Sequence, residues 1–219
     1  MTGPIIYISK RGKAASAFML FIALLAWFGL IAQLAITLTN YQPGRTIPGV
    51  LVQFVSYFTV ICNALVSISL TAVLLIPASA TGRFFSRNTV LTAITLYIMV
   101  VGLVFNTVLR NLLNLAGLAF WVNEIMHVFI PALFLIFWLT LVPKGGLSYK
   151  STLPWLWLPL IYLVYTLIRG ALTGLYPYPF MDAGKLGYPQ VAANSVAVLL
   201  VILISGSVLI FIARLLAKK

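Results

Sequence analysis

The chain has 219 residues, 63% of them hydrophobic and only 7% charged, with a mean hydropathy of +1.12. Soluble domains run at about 45–50% apolar and about 25% charged, so a soluble globule is excluded, and so is a disordered polar chain. One cysteine, Cys62, excludes a disulfide framework and a cysteine-built metal cluster, and the only acids, Glu124 and Asp182, leave no carboxylate pair or calcium cage within lipid-spanning segments.

A helix needs about 20 apolar residues to cross a hydrocarbon core of about 30 Å. The first such stretch covers 14–39. Lys10, Arg11 and Lys13 precede it as they would a signal peptide, but the run is far longer than a signal core of about 7–15 residues, and it is read as a retained helix. The second span covers 49–77, the third 89–110, the fourth 118–142, the fifth 153–174 and the sixth 190–216. Pro, Gly, Asn or basic residues interrupt the runs at 40–48, 78–88, 111–117, 143–152 and 175–189. No strand-like alternation recurs, which argues against a β-barrel, and there is no internal repeat. The expected fold is all-α: a polytopic membrane protein formed by a single bundle of six transmembrane helices.

Charge orients this bundle. Lys10, Arg11, Lys13, Arg83, Arg87, Lys144, Lys150, Arg214, Lys218 and Lys219 fall on one side, and Arg45, Arg110, Arg169 and Lys185 on the other. The positive-inside rule then puts both termini in the cytoplasm. The formal charge of +12 is thereby explained by topology, with anionic lipid headgroups as its partners. The basic residues are scattered over helix ends and make no basic face, so nucleic acid is not an expected partner. Oligomeric state is left open.

Polar side chains within the spans are costly in lipid and mark the bundle interior. The second span carries Ser56, Thr59 and Asn63, with Thr59 and Asn63 four apart on one helix face. Asn123, Glu124 and His127 lie on the fourth, Asn106 and Arg110 on the third. At about 1.5 Å per residue, Thr59 and His127 fall at matching depths near mid-membrane. Counted around the turn at Gly117, Asn106 is level with His127, and Arg110 with Glu124, which predicts an Arg110–Glu124 pair. Arg169 and Asn194 fall near the outer ends of the fifth and sixth spans.

Each residue also has a plainer role. Thr59 can bond its own backbone, and Asn63, Asn106 and Asn123 can serve as packing glue. Arg110 and Arg169 can reach the interface, and Glu124 can pair with either. Gly170 and Gly174 give a small-residue spacing for helix packing. Tyr176-Pro177-Tyr178-Pro179-Phe180 reads first as an interfacial belt with a rigid turn, and second as a lid. His127, the only histidine, is harder to explain as structure alone.

There is no GxSxG elbow, HExxH, phosphate-binding loop or GxGxxG, and one histidine cannot assemble the usual metal sites. A hydroxyl and an imidazole remain, and an imidazole can take a proton from a hydroxyl nucleophile and return it to a leaving alcohol. No cofactor is called for.

Tyr57-Phe58-Thr59-Val60-Ile61-Cys62-Asn63 resembles the second-helix motif of the androgen-induced-protein-like family, whose members include intramembrane hydrolases of fatty-acid esters of hydroxy fatty acids. His127 with Pro131 four residues on resembles that family's helix-borne histidine. The stretches from Trp138 to Gly145, Pro159-Leu160-Ile161-Tyr162, Arg169-Gly170 and Tyr176 through Tyr188 resemble its prokaryotic six-helix branch. The likeness runs from about Phe54 to Asn194, although Asn63 follows Thr59 one residue later than in the hydrolases.

This resemblance implies a catalytic threonine at Thr59 and a catalytic histidine at His127. The leading expectation is a lipid-ester hydrolase in a bacterial cytoplasmic membrane, with Thr59 as nucleophile and His127 as general base. Asn63, Asn106 or Asn123 would contact substrate or oxyanion, and Arg110, Glu124 and Arg169 would form an ion pair or hold a substrate carboxylate. The alternative is a lipid- or solute-binding protein or transporter without chemistry, although paired halves of a transporter are absent.

Overall fold

The computed structural model describes residues 12–41 and 44–217; Lys10, Arg11, Lys218 and Lys219, counted above for orientation, lie outside them. Among the described residues every regular element is helical, and six helices are long and apolar enough to cross a membrane. They are Lys13–Thr39, Phe58–Leu75, Asn88–Leu112, Gly117–Leu141, Tyr149–Thr173 and Tyr188–Ala217, taken below as the first to sixth spans.

The third span is central. It packs on the second, fourth and sixth, while the first lies across the second and fourth. Trp138, Phe134, Phe137, Leu91, Leu96 and Ile98 are fully buried around it. A membrane offers little hydrophobic drive between helices, so close packing and interhelical hydrogen bonds must hold them. The indole N–H of Trp138 donates to Thr92 Oγ1 at 2.9 Å, and Tyr97 OH donates to the Trp155 carbonyl at 2.7 Å. These bonds join the third span to the fourth and fifth.

The second span departs from the sequence reading. In place of one helix over 49–77 there are two, Ile47–Val55 and Phe58–Leu75, broken at Ser56 and Tyr57. Neither Pro nor Gly stands at the break. Tertiary bonds hold it open: Tyr162 OH donates to the Ser56 carbonyl at 3.0 Å, and Ser56 Oγ lies 2.7 Å from Tyr165 OH. Both tyrosines come from the fifth span. Thr59 consequently sits in the first turn of the crossing helix, where the first backbone N–H groups lack helical partners.

The third and fourth spans each contain one π-helical turn, Phe105–Leu109 and Ile125–Phe129. Such turns are rare, and they are frequent at functional sites because they redirect side chains. His127 lies in the second of them.

Candidate functional site

Pro131 explains much of the local geometry around His127. Proline has no N–H, so the carbonyl four residues earlier loses its helical partner, and that carbonyl belongs to His127. Asn106 fills the gap. Its Nδ2 donates to the His127 carbonyl at 3.2 Å and to the Gly102 carbonyl at 2.7 Å. Arg110 Nε donates to Asn106 Oδ1 at 2.8 Å, and Arg110 Nη1 lies 2.8 Å from Glu124 Oε1. Glu124, Arg110, Asn106 and the His127 backbone thus form one connected chain between the third and fourth spans. Gly102 allows the approach, because a Cβ there would lie 3.0 Å from the His127 carbonyl oxygen and 3.1 Å from Pro131.

The imidazole is held on three sides. Nδ1 lies 2.9 Å from the Asn123 carbonyl, which can only accept, so the ring proton is assigned to Nδ1. Phe105 stacks on the ring with centroids 3.9 Å apart. Nε2 then offers a lone pair, and Thr59 Oγ1 lies 3.3 Å from it.

A second group reaches Thr59. Tyr178, from the segment linking the fifth and sixth spans, places its hydroxyl 3.3 Å from Thr59 Oγ1 and accepts from the Thr59 backbone N–H at 3.2 Å. Its ring meets Tyr57 edge-on and stacks on Phe180. Burial pushes its phenol up to about 12, and the hydroxyl keeps its proton at neutral pH.

The linking segment is fastened at several points. Gly174 ends the fifth span in a left-handed conformation at φ +69°, and Asn194 Nδ2 donates to the Phe180 carbonyl at 2.8 Å. Tyr176 packs so closely on Gly170 that a Cβ there would fall 2.0 Å from its ring. Gly170 and Gly174 therefore serve the docking of this segment, where their spacing had suggested helix–helix packing. Arg169 is buried, and it donates to the Leu175 carbonyl at 2.9 Å and to Gln53 Oε1 at 2.6 Å. It is not part of the ion pair. Its bonds to neutral oxygens tie the helix Ile47–Val55 and the linking segment to the fifth span.

The amide nitrogens of Asn63 and Asn106 are committed to backbone carbonyls, while the Asn63 Oδ1 is buried without a hydrogen-bond partner. Asn63 is fully buried, with Nδ2 donating to the Thr59 carbonyl at 2.9 Å and the Met126 carbonyl at 3.3 Å. Asn106 is bonded at both ends of its amide, as above. Asn123 is buried and reaches the site through its backbone carbonyl. Tyr178 was missed as a site residue by sequence reasoning, although the Pro-flanked aromatic run that carries it stood out.

Thr59 and Tyr178 border a cavity of about 190 Å³ between the second, third, fifth and sixth spans. Its walls are almost wholly apolar, with Phe105, Val104, Leu163 and Ile202 among them. Leu160 and Val196, which also line it, are among the exposed apolar side chains. Compared with known protein families, with curated proteins and with solved structures, the chain has no match.

Proposed function

We propose that this protein is an intramembrane hydrolase of lipid esters, with Thr59 as nucleophile and His127 as general base and acid. The observation that carries this reading is the 3.3 Å approach of Thr59 Oγ1 to an imidazole nitrogen whose partner nitrogen is tied to a carbonyl. A threonine hydroxyl is a weak nucleophile unless a base lies within about 2.6–3.2 Å in the productive complex, and resting geometry is commonly slightly looser.

The reaction runs in two halves. His127 Nε2 takes the Thr59 proton as Oγ1 bonds to the ester carbon, and the carbonyl electron pair moves onto oxygen. Collapse expels the alkoxide, which takes the proton from His127 and leaves as alcohol. Water, deprotonated in turn by His127, attacks the acyl-threonine and releases the acid as Oγ1 regains its proton. The apolar cavity beside Thr59 suits an acyl chain. The resemblance to intramembrane fatty-acid ester hydrolases points the same way. It also favours a bacterial cytoplasmic membrane, and the positive-inside charge bias supports a cytoplasmic position for both termini.

The test is covalent labelling of purified protein by a fluorophosphonate, followed by turnover of a long-chain acyl ester. Labelling at Thr59 and turnover, both lost in Thr59→Ala, are expected. An unlabelled protein that binds acyl esters without hydrolysing them would replace this reading with that of a lipid-binding protein or transporter.

A further inference from the structure

The proton positions around Thr59 can be followed in one direction only. His127 Nδ1–H donates to the Asn123 carbonyl, so Nε2 accepts from Thr59 Oγ1–H. The Thr59 hydroxyl proton is then committed, and the contact between Thr59 Oγ1 and Tyr178 OH must have the phenol as donor. The phenol oxygen accepts from the Thr59 backbone N–H. The sequence of bonds is therefore Thr59 N–H to Tyr178 OH, Tyr178 O–H to Thr59 Oγ1, and Thr59 O–H to His127 Nε2.

We infer that Tyr178 is a third catalytic residue, whose hydroxyl, together with the Thr59 backbone N–H, stabilises the oxyanion that forms when Thr59 attacks an ester carbonyl. This inference rests on the hydrolase reading above. The oxyanion is bonded to the same carbon as Oγ1 and so forms beside it. A phenol proton already directed at Oγ1 from 3.3 Å needs only a small swing to reach that oxygen. The Thr59 N–H, released from the phenol, points into the same place from the first turn of an 18-residue helix, whose N-terminal end favours negative charge.

Among the described residues, no other uncommitted side-chain donor hydrogen-bonds Thr59. The Asn63 amide donates away from the hydroxyl, to two backbone carbonyls. The Tyr178 phenol carries its proton at neutral pH, as a donor must, and burial only pushes it further up, to about 12. Tyr178 also lines the cavity, so a carbonyl presented to Thr59 from there meets the phenol directly.

The test uses detergent-solubilised full-length protein and a long-chain acyl ester. Tyr178→Phe keeps the ring that contacts Tyr57 and Phe180 and removes only the hydroxyl. It should lower kcat by about 10²–10³-fold with KM little changed, the cost of losing one oxyanion donor. Fluorinated tyrosines placed at 178 give a second measurement that a packing role would not move, with kcat following the acidity of the phenol across the series. Thr59-dependent turnover that survives Tyr178→Phe at the wild-type kcat, or rises because a cover has been removed, overturns this inference and leaves the hydrolase intact. A kcat that is flat across the fluorotyrosines also overturns it. Wild-type protein with neither turnover nor labelling at Thr59 overturns both.

Discussion

Thr59 and His127 face one another with Oγ1 3.3 Å from Nε2, although the depth count that matched them ran along an unbroken helix that the structure divides at Ser56 and Tyr57. If they act as one unit, removing either removes nearly the whole effect. Thr59→Ala and His127→Ala should each abolish ester turnover to near background, and the double variant should lose little more, as measured by kcat/KM. Additive losses would mean that the two groups work independently. The Arg110–Glu124 pair follows from counting seven residues either side of Gly117 and is present at 2.8 Å. Glu124 is the more buried partner, so Arg110→Ala leaves a carboxylate without its cation and frees Asn106 from its guanidinium. Arg110→Ala should therefore lower Tm more than Arg110→Ala with Glu124→Gln. The loss should stay below the about 3–5 kcal/mol of a fully buried pair, because Arg110 is more than a third exposed. Tyr178 was not legible in this way. Its position depends on the path of a non-periodic segment, and no spacing rule links residue 178 to residue 59.

At the scale of elements, hydropathy located all six spans to within a few residues at most ends, yet it read straight through the break at Ser56 and Tyr57. The reason is physical: both halves are apolar, and the break is made by tyrosine hydroxyls from the fifth span, more than a hundred residues away in sequence. Tyr162→Phe tests this. It removes the donor to the Ser56 carbonyl, and a buried carbonyl left unsatisfied costs about 1–3 kcal/mol. The expected result is a lower Tm together with reduced turnover, since the break sets the position of Thr59. Unchanged turnover would show that the helix start is fixed without Tyr162. Gly170→Ala tests the other side of the site. Its methyl would fall inside the Tyr176 ring and lift the linking segment. Turnover should drop while helical content by circular dichroism is retained, and the segment should become more sensitive to protease.

On the scale of the whole molecule, the site lies beside the break in the second span and against the segment that links the fifth and sixth. The proposed side of the membrane that it faces rests on charge. Arg83, Arg87, Lys144, Lys150 and Arg214 lie at the opposite end from Arg45, Arg110, Arg169 and Lys185. In the orientation proposed above, following the positive-inside rule, the richer end lies in the cytoplasm and the site in the outer half of the membrane. Cysteine labelling checks this cleanly, because the single native cysteine, Cys62, is fully buried. Lys185 is exposed at the end poorer in basic residues, and Gly145 is exposed at the other, with open space where a side chain would go. In intact cells of an expression host, a membrane-impermeant maleimide should label Lys185→Cys at once and Gly145→Cys only after permeabilisation. The reverse pattern would turn the bundle over and place the cavity, with Thr59 and Tyr178 at its wall, in the cytoplasmic leaflet. An ester substrate would then have to be drawn from that leaflet, so the orientation decides which pool of lipid the site can reach.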